Sequence, residues 1–505
     1  MIEKSLKSVL PEHCIIFDKE EIITLTRDTS SNSQRIDFIV YPENIEQVKQ
    51  LVLLANKINL KLYPISTGNN WGYGSCHPPQ AGCILVVLEK LNQISLDEDL
   101  NLLTIGPGVT QSDLYNYFKK RNLEYMVPTT GAGPNCSIVG NALERGYGIT
   151  PITDHFASVM GIEAILPNGE VYKSPLIANN MAPVLKWGIG AYLDGIFSQS
   201  NMGIVTSMTL MVEKKPTSVQ MFVSYVSYGK LSKAISAIST LLSQSKGNIG
   251  GINIMNANRV SIMSDDCSVS TKKYNRESKW LIVGTIYGEK KHVKATRSLI
   301  KKNLSPITKK TIFITSKTAK FIQKLSCIVP SCFNKLKRSM FELTDLFGLF
   351  EGIPSHISLR LAYYKNRNKE NVTDLDPARD QCGLLWYSPI VPMKSSEFEK
   401  YIDFVYIICS KYNIEPAITL TSLSSNAFDS TIPLIFKPYS TEELIAYDCY
   451  HELLTTGRAL GFTPYRLHSA FMNKYFMSDT PHGKLTKQIK KIIDPNNIIS
   501  PGRYE

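Results

Sequence analysis

Three stretches of this 505-residue sequence concentrate residues able to hold an anion with bare backbone: "STGNNWGYG" at 66–74, "PTTGAGPNCSIVGNALERGYG" at 128–148 and "GIFSQSNMGIVT" at 195–206. Successive glycine amides form a concave nest that receives a pyrophosphate without a Rossmann helix. Each stretch alone also reads as an ordinary tight turn, where Gly and Asn are the usual residues. Three in one part of the chain, two directly after apolar strands, tip the reading toward a large anionic cofactor. Other templates fail. There is no G-x-x-x-x-G-K-[ST] and no G-x-G-x-x-G after a strand, and "GIGAYLDG" has leucine where the third glycine belongs. H-E-x-x-H and G-x-S-x-G are also missing, which removes the metalloprotease and hydrolase readings.

Positioning such stretches takes a regular framework, and the sequence supplies one. "RIDFIVYP" reads as a strand; "ENIEQVKQLVLLANKIN" follows as a helix with Ile45, Val48, Leu51, Val52 and Ala55 on one face; "LKLYPIST" is a second strand that feeds the 66–74 loop. "GCILVVLEKLNQI" is a buried strand, and "VTQSDLYNYFKKRN" a helix with Thr110 as N-cap and Asp113 three residues on. Strands and helices alternate to about residue 215, as in an α+β or α/β nucleotide-binding domain. From "EKKPTSVQMF" the segments lengthen and become richer in Lys and Ser, so a second domain is expected there, as the length itself predicts.

Composition narrows the class. Apolar residues at 43% and charged residues at 20% fit a soluble globular protein. The N-terminal residues lack a signal-peptide apolar region and no apolar run reaches membrane-spanning length, so a cytoplasmic enzyme is expected. Ten cysteines without a C-x-x-C pair argue against a disulfide scaffold or structural zinc, and no metal is expected. The net charge of +12 is local: Lys290 to Phe341 holds fourteen Lys and Arg and no Asp or Glu. Its second half mixes cations with Phe321, Ile322, Leu325, Ile328, Val329, Phe333 and Leu336 at roughly helical spacing, broken at Pro330. A solvated basic helix is the plainest reading; an acidic protein partner or an anionic membrane surface is the alternative, and nucleic acid is not expected.

Taken in order, these motifs resemble the flavoprotein family of vanillyl-alcohol oxidase and the flavin subunit of p-cresol methylhydroxylase. The resemblance runs through "IVYPENIEQVKQLVLLANKINLKLYPISTGNNWGYGS", "VGNALERGYGITPITDHFASVMGIEAILPNGEVY", "WGIGAYLDGIFSQSNMGIVT", "PYRLHSAFM" and "DPNNIISPGRY", and is thin between about 220 and 450. It implies an α+β protein: a two-part FAD-binding domain, 1–215 and 461–505, with a cap or substrate domain, 216–460, inserted over the flavin. It places the pyrophosphate on Gly68, Asn69, Asn70 and Gly74, flanked by Ser66, Thr67 and Ser75. Pro128, Thr130, Ser137, Gly140, Asn141, Gly146 and Gly148 would line the rest of the groove, Gly203, Ile204 and Val205 the adenine side. Arg503 would reach the flavin's pyrimidine edge, where a cation stabilises reduced flavin.

In relatives that oxidise para-substituted phenols, two tyrosines and an arginine bind the phenolate oxygen; the motifs put those roles on Tyr73, Tyr465 and Arg466. One cation and two hydroxyl donors can lower a phenol's pKa enough to ionise it, which eases hydride loss from the benzylic carbon. Two departures stand out. Where the oxidase has an aspartate near flavin N5, this chain has Thr129, which cannot take a proton at neutral pH but can line the pocket and hydrogen-bond a substrate or water. The stretch 413–438, where relatives tether the flavin, has no His, Tyr or Cys, so dissociable FAD is expected. His155 and His468 are candidates for orienting the site or for structural roles.

The expected activity is FAD-dependent removal of hydride from a small aromatic or phenolic substrate, with oxygen or an electron-carrier protein as acceptor and a homo-oligomeric assembly. Two alternatives stay open: oxidation of a carboxylate-bearing hydroxy or amino acid derivative held by Arg466, and a degenerate flavoprotein that binds a partner.

Overall fold

A computed structural model of the chain describes residues 2–31, 34–245, 247–263, 278–328, 334–366, 374–475 and 479–505. The architecture is the expected α+β one. A first sheet has the order β1 (Ile15–Ile16), β2 (Ile36–Val40), β4 (Cys83–Val87), β3 (Lys61–Ile65). Both β2 and β3 run parallel to β4, which is buried along its whole length, as a central strand covered on both faces must be. The crossover from β2 to β3 is the helix Ile45–Ile58, capped by Asn44, whose side chain accepts from Gln47 N at 3.0 Å, and closed by Asn59 at φ +58°. It buries Val48, Leu51, Val52 and Ala55; Ile45 is half-buried.

The second sheet is antiparallel: β5 (Ile94–Asp97), β6 (Leu102–Ile105), β9 (Ile204–Met211), β7 (Val159–Ile165), β8 (Val171–Lys173). Against it lies the helix Gln111–Lys120, begun by the Thr110–Asp113 capping box.

The third sheet runs β13 (Thr311–Thr315), β10 (Ser218–Val226), β12 (Trp280–Gly288), β11 (Asn253–Met255), β16 (Thr419–Ser422), β17 (Ala427–Phe436), β14 (Gly383–Tyr387), with β15 (Ile390–Pro392) also on β17. The helices Leu231–Ser245, Lys290–Leu304 and Ser395–Lys411 cover its outer face with Ile235, Ile300, Phe398 and their neighbours. The chain then comes back to the first sheet: Leu62 N donates to Ile498 O and Ser500 N to Leu62 O, both at 2.7 Å. Buried Lys490 fastens this return by donating to the carbonyls of Asn201 and Ile499 at 2.8 Å and to Asp494 at 2.6 Å.

The basic segment divides in two. The helix Lys290–Leu304 buries Val293, Thr296, Ile300 and Leu304 and turns its lysines outward. The helix Ser316–Ile328 leaves Lys317, Lys320, Phe321 and Lys324 exposed. Val329, Pro330 and Phe333, where a break was expected, lie outside the described residues, as do the side chains of Ile328 and Leu336.

Candidate functional site

A cavity of about 450 Å³ separates the inner face of the third sheet from the loops of the first two sheets. The cap wall is built by strand alternation. Paired residues of antiparallel strands share a face, as do residues two apart. The pairs Val283–Asn253, Asn253–Thr421 and Thr421–Asp429 thus form one row across four strands, and Met255–Thr419 and Thr419–Thr431 the next. Trp386 and Leu384 of β14 continue this face beyond Thr431, and all these side chains line the cavity.

The opposite wall holds the glycine-rich loops. Thr67 Oγ1 and Asn69 Nδ2 both donate to Asn135 O, at 3.1 and 2.9 Å, strapping loop 66–75 to the second stretch. Among the described residues, the N–H groups of Thr67, Gly68 and Asn69 meet no acceptor. Across from them a Cβ on Gly140 would sit 3.1 Å from Ser66 Oγ. Unsatisfied amides and a close glycine are what a pyrophosphate needs, so these residues fit an FAD. Ser66, Thr67, Gly68, Asn69, Asn70, Ser75, Ser137, Gly140, Asn141, Gly148, Gly203, Ile204, Val205 and Arg503 all line the cavity.

Other expected residues support the wall from behind. A Cβ on Gly74 (φ +101°) would fall 2.1 Å from Ser469 Oγ, so this glycine admits the C-terminal segment. Gly146 leaves room for the Asn141 amide and Gly148 for the His155 ring. Asn141 Nδ2 is 2.7 Å from His155 Nδ1, and burial lowers the His155 pKa to about 4, so a neutral imidazole fixes Asn141. Thr130 accepts from Gln111 Nε2 at 3.0 Å and donates its N–H to Gln111 Oε1 at 3.0 Å; neither it nor Pro128 lines the cavity. His468 is fully buried, 3.9 Å from Asp28, and accepts from Ala470 N, outside the cavity. Thr129 departs from expectation. Its buried hydroxyl donates to Leu349 O at 2.8 Å and points out of the cavity, because that carbonyl is the nearest partner satisfying it.

Tyr73, Tyr465 and Arg466 come together at one end of the cavity although nearly four hundred residues separate the first from the others. The Arg466 guanidinium lies 4.4 Å from the centre of the Tyr73 ring. Its Nη2 donates to Asn70 Oδ1, and its Nε is 3.4 Å from Glu144 Oε2. Tyr73 shares a 2.6 Å hydrogen bond with Ser388 Oγ, and Tyr465 packs edge-on against Tyr147 at 5.4 Å. Burial raises the Tyr73 pKa to about 12 and the Tyr465 pKa well beyond the ordinary phenol value, so both hydroxyls stay protonated donors.

Three further charged groups at the site escaped the sequence reading. Glu144 sits between two cations: Arg503 Nη2 donates to its Oε1 and Arg466 approaches its Oε2. Burial opposes its ionisation, but the guanidiniums outweigh that and hold its pKa below the ordinary carboxylate value. Arg503 also donates to Tyr63 OH at 3.2 Å. Asp429, buried on β17, makes no hydrogen bond through Oδ1, and burial raises its pKa to about 8. Arg259, in the helix Ala257–Met263, has Nε and Nη1 unpartnered. The available signal for Asp429 was a lone acid in the strand pattern "NAFDSTIPLIF"; nothing local marks Arg259.

Residues 36–174 match the family model described as an FAD binding domain. The chain is 26% identical over 484 residues to the 4-cresol dehydrogenase [hydroxylating] flavoprotein subunit of Pseudomonas putida, spanning 91% of this chain and 86% of that one. It is 28% identical over 513 residues to the 1'-carboxy-chondrochloren decarboxylase of Chondromyces crocatus, spanning 94% and 92%. Among solved structures, p-cresol methylhydroxylase with substrate bound superposes with a TM-score of 0.85 at 22% identity, over 99% of this chain and 96% of that one. The 4-ethylphenol oxidase of Gulosibacter chungangensis in its isoeugenol complex does so with 0.86 at 18% identity, over the same shares.

Proposed function

The chain is an FAD-dependent oxidoreductase with a p-cresol methylhydroxylase-type FAD-binding domain, and we propose that its hydride donor is a small para-substituted phenol. In this reading 1–215 and 461–505 carry the cofactor and 216–460 covers it. The observation that carries the proposal is the convergence of Tyr73, Tyr465 and Arg466 with unpaired Asp429 in one cavity.

Bound FAD would supply the hydride acceptor. The chain's own residues prepare the donor. Arg466 supplies a permanent positive charge, and Tyr73 and Tyr465 donate hydrogen bonds to the phenolate oxygen, stabilising the ionised substrate. Asp429 takes the proton: of the two acids lining the cavity, Glu144 is committed to Arg466 and Arg503, whereas Asp429 has a free oxygen and a pKa near the working range. Asp429 thereby fills the acid/base role left vacant at Thr129, from the opposite wall. Arg503, which lines the cavity, would oppose the negative charge of the reduced cofactor.

The FAD is dissociable in this proposal, supported by a cap wall that offers no His, Cys or Tyr side chain to the cavity among the described residues. The test is anaerobic. The yellow protein bleaches on addition of 4-ethylphenol and releases its flavin on acid precipitation. A colourless protein, or one whose flavin 4-ethylphenol leaves oxidised, ends the reading.

A further inference from the structure

Of the three arginines facing the cavity, only Arg259 has no carboxylate counter-ion among the described residues, and its Nε and Nη1 make no hydrogen bond. Its helix begins with the Arg259 backbone N–H donating to Asn256 Oδ1 at 2.9 Å, and the guanidinium rests 5.4 Å from the centre of the Trp386 ring. Trp386 in turn is seated on loop 66–75, its backbone N–H donating to Gly72 O at 3.1 Å. Arg259 lies in the first turn of the helix that follows β11, whose last residue, Met255, is two strands across and one row on from Asp429. The Arg259 charge thus stands on the cap wall over Trp386, whereas the Arg466 charge stands on the opposite wall over Tyr73. A half-buried cation whose Nε and Nη1 are shut off from water without a partner is costly unless a ligand supplies the opposite charge.

We propose that Arg259 binds a carboxylate at the end of the substrate's para side chain, so that the donor is a phenol carrying an acid, held at both ends. Guanidinium matches a carboxylate through two parallel N–H donors, and the unpartnered Nε and Nη1 can each form such a pair with Nη2. Burial also pulls the Arg259 pKa down to about 9, which still leaves it cationic at neutral pH and favours any anion that restores its charge balance. The inference rests on the phenol reading for the other end of the substrate, and adds the specificity element that small alkylphenols lack.

The test uses the flavin-loaded protein and a series of ω-(4-hydroxyphenyl)alkanoates of two to five side-chain carbons, each paired with the 4-alkylphenol of the same length. Binding is read from the perturbed flavin spectrum and turnover from anaerobic bleaching. The best acid binds roughly 10- to 100-fold tighter than its uncharged counterpart, the range for hydrogen bonds to a charged group. In Arg259→Met that preference disappears while the alkylphenols bind as before, and Arg259→Lys keeps part of it. The ω-phenylalkanoates, which lack the hydroxyl, report on Arg259 independently: their binding weakens in Arg259→Met even if phenols prove not to be donors. The proposal is overturned if no acid outbinds its alkylphenol, if Arg259→Met weakens acids and alkylphenols alike, or if that variant loses its flavin.

Discussion

The two walls of the cavity treat charge in opposite ways. On the cofactor wall, Arg466 and Arg503 flank Glu144, Asn70 accepts from Arg466, and Tyr63 accepts from Arg503, so each cation already has a protein partner. On the cap wall, Asp429 and Arg259 have no ion-pair partner among the described residues and leave Oδ1, Nε and Nη1 without a hydrogen bond. Paired groups are held rigid and keep their charge whether or not a ligand is present; unpaired ones are restrained chiefly by packing and change most when a ligand arrives. In the proposed function the first wall is a fixed electrostatic frame, and the second would select and process what enters.

The contrast can be broken by experiment. The largest effect falls on Arg466→Ala, which removes the clamp's only cation: anaerobic flavin reduction by 4-ethylphenol drops about 10³-fold, the scale for losing a preorganised stabilising group. A loss under tenfold would place the phenolate elsewhere. Glu144→Gln leaves two buried guanidiniums facing each other without their anion and lowers stability by about 3 kcal/mol in urea unfolding. An unchanged unfolding midpoint would show that the cofactor wall does not depend on this pairing.

Asp429→Asn tests the other wall. Asp429 binds its proton more tightly in the folded chain than in the unfolded one, so its protonated form contributes stability that is full below the ordinary carboxylate pKa. That contribution is lost as pH rises through about 8. Asparagine stays neutral, so the variant gains on the parent in unfolding experiments at pH above 8. Its flavin reduction by phenol falls about 10²-fold and loses the rise with pH across that value. A parent and variant with parallel pH profiles would remove Asp429 from proton transfer. The smallest effect is at the surface: glutamate at Lys317, Lys320 and Lys324 slows reduction of an acidic electron carrier about threefold at low salt and leaves flavin reduction by phenol unchanged. Equal slowing of both steps would deny the basic helix a docking role.

The same contrast explains what the sequence made legible. The cofactor wall is written in local patterns. Glycines at 68, 140 and 148, the Thr110 capping box and the alternation of β2, the Ile45–Ile58 helix and β3 can each be read within a dozen residues. Tyr73, Tyr465 and Arg466 were readable only through resemblance, since their meeting depends on the whole fold. The cap wall was nearly opaque. Asp429 faces the cavity because β17 pairs with β16 in one register, and a shift of one residue would turn it outward. Glycine could also mislead: Gly74 and Gly146 read as cofactor-facing, yet they make room for Ser469 and Asn141. Thr129 was placed in the pocket by analogy, and the carbonyl of Leu349, 220 residues away, decides its orientation.

The return of the last residues to the first sheet has a temporal meaning. Arg503 reaches Tyr63 across 440 positions of chain, and Ile498 and Ser500 bracket Leu62. On a ribosome, the glycine-rich loops emerge hundreds of residues before 498–503, so the wall they share with that segment stays open until it has followed. Closing so long a loop is entropically dear and slow, so completion of the cavity is a late step of folding.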